Sequence, residues 1–474
     1  MTENTLESIA ENGMFAKDRS RDALWAVLLM SPAILVAVDF MPVLAFGFYA
    51  AIGALALLVM PRLAYTLFIL AISVYAAVPA GPFAVMPVDM AFLICLLGTI
   101  LDFLLRRETR IRWTNFDLPF GAILLFTYIS LIDATDLRMS ITPAFRILTI
   151  YFAFRMSLRL GPRIGVERVL ALIVAMTTAL AAVNSVEFLL AGGGKRVFGI
   201  AWLTFETLAM ISLPVAAAWI IWPRLRWHRW VAVASCFVIG VGILATQSRA
   251  PLVAVAIAVP VLVFTALRKA TKDGNPKIAT SLWKIVIPIS SVGVLLSVFS
   301  ESFFSGTLGR VQELINSIAN PEGTVYLRVV LWSAAIEAFL TDPLTGIGIG
   351  NFRVVTKVLP DLRMEPVWYY IRGMSTHNVV LQYLAETGIF GCLSILWLGW
   401  RGVKSTFRTF WSASSRDETR ISGALFIALF VFGLTILYMR AWTWGQDSYI
   451  MAVLFGLAAA WQSRSALRTP STKS

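Results

Sequence analysis

The sequence predicts an all-α, polytopic integral membrane protein of about twelve to fourteen transmembrane helices, with one long, partly helical loop outside the bilayer. Three observations carry that expectation. Of the 474 residues, 58% are hydrophobic and only 14% charged, and mean hydropathy is +0.77. A soluble domain carries roughly a quarter charged residues, so a water-facing surface of normal size cannot be built. The apolar residues fall in runs such as 250–267 and 286–299, close to the thickness of a bilayer core. A backbone in that medium must satisfy its own hydrogen bonds, which long apolar runs do as helices. Finally, lysine and arginine recur in short clusters between the runs, as the positive-inside rule expects.

Taken in order, residues 1–23 mix both signs of charge and read as a cytoplasmic tail without a cleavable signal peptide, since one apolar run is followed at once by another. A transmembrane core is expected over 24–300. Its spans are 24–39, 43–60, 62–79, 86–105, 117–133, 143–158, 166–191, 203–222, 230–246, 250–267 and 283–300. Several are short for a perpendicular crossing, which implies local thinning or burial against neighbours. Residues 301–376 form the long loop. C-terminal membrane helices follow within 377–462, at 377–400, 421–440 and 446–462, and 463–474 is a basic cytoplasmic tail. With the N-terminus inside, Arg62, Arg106–Arg112, Arg155–Arg168, Arg224–Arg229, Arg268–Lys284 and Lys404–Arg420 all lie on the cytoplasmic side. That orientation puts 301–376 outside. The net charge of +13 then sets topology and contacts anionic headgroups; nucleic acid is not an expected partner. Cys95, Cys236 and Cys392 form neither a CxxC pair nor a disulfide framework.

The long loop holds two amphipathic helical stretches, about Leu308–Ile318 and Tyr326–Phe339. The second ends in Thr341-Asp342-Pro343, followed by Gly346-Ile347-Gly348-Ile349-Gly350. A loop of this length with helices of its own is usually functional. Its glycines could bring backbone amides close to phosphate, or serve as a hinge.

Only two histidines occur. His228, in Arg226-Trp227-His228-Arg229, reads as an interfacial side chain. His377 stands where the loop re-enters the bilayer, in Ser375-Thr376-His377-Asn378. An imidazole with a reference pKa of about 6.5 can accept a proton at neutral pH, although position alone leaves structural and catalytic roles equally open. Four outward cations accompany it: Arg249 after Thr246-Gln247-Ser248, Arg146 about one turn inside its helix, Arg196 after a run of glycines, and Arg328 at the loop helix. A cation near hydrocarbon needs a carboxylate, a backbone partner or an anionic ligand, or it snorkels to the interface. Snorkelling fits Arg196 better than Arg146 or Arg249. Guanidinium groups grip phosphate with paired donors, so a convergent set would suit a lipid diphosphate. Glu206, near a helix end, either orients His377 or pairs with an arginine. Trp442, Trp444 and Tyr449, beside Asp447, read as an interfacial aromatic belt, with stacking on sugars as the alternative.

These residues resemble a known family. Arg328-x3-Trp332 leads into Asp342-Pro343-Leu344-Thr345-Gly346-Ile347-Gly348-x-Gly350-x-Phe352, and His377-Asn378-x9-Gly388-x2-Gly391 follows. The block 326–398 is similar to the signature region of the O-antigen ligase and polysaccharide polymerase superfamily of membrane glycosyltransferases. Gln382 and Glu386 stand where related sequences often carry polar residues. Gln247-Ser248-Arg249-Ala250 resembles the family's Ser-Arg turn, with Val253 in place of a common leucine. Lys195-Arg196-Val197-Phe198-Gly199 resembles its Arg-x2-Gly element, and Thr204-Phe205-Glu206-Thr207 replaces the Asn-Pro-Asn that often follows.

The resemblance implies an inverting glycosyltransferase on the periplasmic face of a bacterial inner membrane. Such an enzyme takes a glycan from undecaprenyl diphosphate and passes it to an acceptor hydroxyl, with no cofactor and no metal. It implies His377 as the base, Arg249 and Arg328 as the main diphosphate ligands, Arg146 and Arg196 as further ones, and Asn378, Gln382 and Glu206 in support. The partners implied are the lipid-linked donor, a glycan, lipid or protein acceptor, membrane lipids and polysaccharide-export proteins. With no second outward histidine and no Asp-x-Asp, a His-ligated or nucleotide-sugar metal site is not expected. The His-Asn-x9-Gly-x2-Gly spacing favours a ligase; a polymerase joining lipid-linked repeat units is the alternative. A secondary transporter or flippase would place ionisable residues near the midplane, where the spans here are almost uncharged.

Overall fold

The computed structural model describes residues 55, 57–73, 78–80, 83–85, 87–105, 112–191, 202–246, 248–274, 323–357, 373–437 and 447–468. They form twelve α-helices, a 3₁₀ segment and one two-stranded ribbon, so the described residues are all-α apart from that ribbon. By length and composition six described helices can cross a membrane, and three further apolar helices are shorter. The protein is a multi-pass membrane protein. The spans 24–39, most of 43–60 and 283–300, and the loop helix 308–318, lie outside the described residues.

The chain divides into two compact units: 1–68 with 89–111, and 69–88 with 112–474. In the smaller unit, helix α1 (Pro61–Ala71) places Phe68 against Phe92 of α2 (Pro87–Leu105), ring centroids 6.1 Å apart. Proline opens α2 and Asp89 sits in its first turn, a good start for a helix. The expected span 62–79 is corrected here. Helix α1 ends at Ala71, and β1 (Val78–Ala80) pairs antiparallel with β2 (Phe83–Val85), Val78 opposite Val85. Pro79, Gly81 and Pro82 cannot prolong a helix.

The larger unit holds α3 (Asp117–Ile129), α4 (Leu137–Ile164), α5 (Val166–Leu190), α6 (Trp202–Ile221), α7 (Arg226–Ala245), α8 (Arg249–Lys272), α9 (Gly323–Thr341), a 3₁₀ turn (Asn351–Lys357), α10 (Val379–Ser412), α11 (Arg416–Thr435) and α12 (Asp447–Arg468). Helices α4 and α10 outrun their apolar runs, because charged residues such as Arg138, Arg159, Arg401 and Lys404 continue the helix where hydropathy has already fallen.

Antiparallel neighbours give this unit two chemically distinct ends. At one, Arg155 pairs with Asp117 at 2.8 Å, and Arg420 reaches Glu167 at 2.9 Å and Asp417 at 2.7 Å. Lys269 donates to the carbonyl of Ala413 at 2.8 Å, satisfying a terminal oxygen of α10. A capping box of Ser415 and Glu418 starts α11 there. Between the ends packing is apolar: Phe120 stacks on Phe154, Phe116 and Phe455 meet them edge-on, and Gly456 lets α12 lie against Ser157 and the Phe154 carbonyl of α4. Helices α6, α11 and α12 are buried almost throughout, whereas Phe390, Leu393, Leu396 and Trp400 of α10 are exposed on one stripe facing the surroundings a bilayer would supply. At the opposite end lie the start of α4, the glycine segment after α9 and the start of α10.

Candidate active site

Helix α10 is broken. At Gly388 the backbone turns to φ 67, ψ −170, and the helical bond from the Ile389 amide back to the Ala385 carbonyl is replaced. Ile389 N–H donates instead to the Pro343 carbonyl at 3.0 Å, and the Ala385 carbonyl accepts from Ile347 N–H at 3.0 Å. The segment 343–347 thus inserts itself into the helix ladder and satisfies both orphaned groups, as buried backbone requires. A β-carbon at Gly388 would collide with the Leu344 carbonyl, and one at Gly346 with the backbone of Glu386 and Thr387.

In the structure most of the glycine segment's amides are turned inward. Three of them bind within the protein: Gly346 N–H to the Asp342 carbonyl (3.0 Å), Ile347 N–H as above, and Ile349 N–H to Ser130 Oγ (3.2 Å). Asn351 N–H donates to the Gly348 carbonyl and Phe352 N–H to Glu386 Oε1, each at 3.1 Å. Asn351 Nδ2 ties the segment to Ser140 of α4 at 3.1 Å. Around it Leu331, Ala334, Ala335 and Ala338 of α9 pack with Ile347, Phe352, Val355 and Ala385.

His377 sits on the rim of this block, half-buried, with φ 53. Among the described residues it is the one non-glycine residue with positive φ. The turn that holds it is fastened from three sides. Trp332 Nε1 of α9 donates to the Thr376 carbonyl at 3.0 Å, Thr376 Oγ1 donates to the Asn378 carbonyl at 2.6 Å, and Val379 N–H donates to the Ile436 carbonyl at 2.9 Å. Asn378 caps α10, its Oδ1 accepting from Leu381 N–H at 3.1 Å. Gln382 is buried and donates from Nε2 to Glu386 Oε1 at 3.0 Å. Asn378 and Gln382, two of the expected supporting residues, thus bind their own helix and its clamp.

The cations divide. Arg328 lies in the second turn of α9, half-buried, one helical turn before Trp332 on the same face. Arg146 donates to Tyr449 Oη at 3.0 Å, with its guanidinium 5.3 Å from the ring centroid. Tyr449 is buried at the start of α12, which corrects its reading as an interfacial belt residue. Arg249 is the first residue of α8, after Ser248 at the N-cap; its side chain lies outside the described residues, as do Arg196, Trp442 and Trp444. Glu206 is buried near the start of α6. Contacts link the starts of α4, α10 and α12 with the glycine segment and α9 at one end of the larger unit.

Sequence reasoning did not foresee Tyr449 and Trp332 as fasteners, or Glu386 as the hub of the clamp. The Asn378 cap was readable, because Asn before an apolar helical run is an N-cap signal. A comparison with curated proteins finds no match. Residues 234–396 match the family model described as O-antigen ligase. That stretch runs from within α7 to the break in α10 and just beyond. It contains Arg249, Arg328, His377, Asn378, Gln382 and Gly388, and leaves Arg146, Arg196 and Glu206 outside. Over residues 234–396, therefore, the chain is similar to the O-antigen ligase family.

Proposed function

We propose that this end of the protein transfers a glycan from undecaprenyl diphosphate to an acceptor hydroxyl at the periplasmic face of a bacterial inner membrane, with inversion at the anomeric carbon. The observation that carries this reading is the setting of His377: a half-buried imidazole on a strained backbone, fixed between the Trp332 clasp and the Asn378 cap, within a segment matched by the O-antigen ligase model. Strain of this kind persists only where surrounding structure over-determines it, and it clusters at functional sites.

The chemistry follows from charge. Neutral His377 takes the acceptor proton as the hydroxyl oxygen attacks the anomeric carbon. The bond from that carbon to the diphosphate oxygen breaks, and the diphosphate leaves with the electron pair. A diphosphate is already a good leaving group, so fixed cations contribute more than acid catalysis. Arg328, one turn from the Trp332 clasp, and Arg249, at a helix N-terminus that itself favours anions, are the proposed ligands, with Arg146 and Arg196 further out. The acceptor is a glycan, lipid or protein. A polymerase would use the same groups with a lipid-linked repeat unit as acceptor.

The test is transfer by the purified protein in lipid nanodiscs, with an undecaprenyl-diphosphate glycan and a candidate acceptor. Asparagine tolerates the left-handed backbone better than alanine, so His377→Asn removes the base with little disturbance of the turn. A fall in kcat of about 10²–10⁴-fold is expected. Undiminished transfer removes His377 as base, and uptake without transfer moves the assignment to a transporter.

A further inference from the structure

The carboxylate of Glu386 has no part in the proposed chemistry, yet it is fully buried. It stands about 12 Å along the helix from the Asn378 cap, too deep to touch a headgroup held at His377. A charged group so placed is costly unless hydrogen-bonded, and its partners are specific. Oε1 accepts from Phe352 N–H at 3.1 Å and from Gln382 Nε2 at 3.0 Å, and the Gly350 amide and the Arg353 charge also act on it. One residue earlier, the Ala385 carbonyl takes the Ile347 amide; two residues later the helix breaks at Gly388. The half-helix from His377 to Thr387 is therefore joined to its membrane shaft through a broken ladder, and its placement is set by the clamp that Glu386 closes. The same clamp packs on α9, which carries Trp332 and Arg328.

We propose that Glu386 is a positioning residue: by binding the 350–352 turn to the half-helix, it fixes the His377 imidazole relative to α9. The inference rests on the proposed transfer chemistry for its kinetic consequence but not for its structural one. A misplacement of about 1 Å at a reacting group can cost a hundredfold in rate.

The experiment uses the full chain carrying His228→Gln, so that His377 is the only histidine and its ring gives a single imidazole NMR signal and a single rate of carbethoxylation. In that background Glu386→Ala, Glu386→Asp and Glu386→Gln are compared in nanodiscs. Glutamine keeps an acceptor for the Phe352 amide; aspartate keeps the carboxyl group but withdraws it by one methylene. The expected result for Ala and Asp is a shifted imidazole signal, a carbethoxylation rate changed about threefold or more, and kcat lowered on the order of tenfold to a hundredfold with KM values within about twofold. Glutamine restores both. If the alanine chain does not fold, the aspartate chain decides. An unmoved imidazole, or a loss confined to KM, overturns the proposal. If the parent transfers no glycan, the proposed function fails, while the imidazole readout still decides whether Glu386 sets the ring's position.

Discussion

Left-handed backbone costs a residue with a β-carbon roughly 1–2 kcal/mol, and at His377 that cost is offset by the bonds on either side of it. The Trp332 indole reaches across from α9, donating to the Thr376 carbonyl at 3.0 Å. Trp332→Phe keeps most of the ring's packing and removes the donor. Net hydrogen bonds are worth about 1 kcal/mol, so the fold should survive with a small drop in thermal midpoint. The loosened turn should lower kcat by about tenfold, read as initial transfer rates beside a melting curve. An unchanged kcat would mean that the clasp does not hold the imidazole in its working position. Residue-level legibility was uneven. His377 stood out because histidine is scarce in the chain, and Arg328 and Trp332 stood out by their spacing. Tyr449 misled, because an aromatic near a membrane turn is usually interfacial, and nothing in the sequence shows that Arg146 of a distant helix lies beneath it.

At the scale of elements the helices were readable and the break was not. Apolar runs marked the cores of α2 to α8 and α10 to α12 because lipid or protein surrounds every turn of them. Hydropathy sums side chains and is blind to a peptide plane that turns at Gly388. Broken helices have identifiable causes, and here the cause is a glycine together with a distant inserted segment, Pro343 bonding to Ile389. A local sequence pattern cannot show an exchange of hydrogen bonds over that separation. Gly388→Ala tests it. The substitution forces a β-carbon into left-handed backbone and against the Leu344 carbonyl, costs of about 1–2 kcal/mol and 1–3 kcal/mol respectively. A thermal midpoint well below that of the parent is expected, with sharply reduced yield of monodisperse protein. Gly399→Ala, lower on the same helix with nothing within 4 Å of the added carbon, should match the parent. Equal midpoints for all three would show that α10 runs unbroken in the membrane.

For the whole molecule, the deciding question is which end of the larger unit faces which compartment. Its ends differ in chemistry: ion pairs and lysine caps gather at one, and His377 with the glycine clamp at the other. Charge bias alone puts the first in the cytoplasm, and the proposed donor, a lipid-linked glycan already flipped outward, requires the second to be periplasmic. Single cysteines can decide this in intact cells once Cys95, Cys236 and Cys392, all buried, are replaced by alanine. Ile132 and Met374 are exposed on the His377 end; Ile132 adjoins Asp133, which accepts from Thr345, and Met374 precedes the Thr376 turn. Trp113 and Asp417 are exposed on the other, beside the Arg155 and Arg420 ion pairs. A membrane-impermeant thiol reagent admitted to the periplasm should modify Ile132→Cys and Met374→Cys, and should reach Trp113→Cys and Asp417→Cys only after the inner membrane is permeabilised. The reverse pattern would put the imidazole on the side where sugars are donated from nucleotides, and a polyprenyl-diphosphate donor waiting in the periplasm could not reach it. Labelling at both ends from one side would mean that the two faces are not separated by a bilayer as the helix directions require.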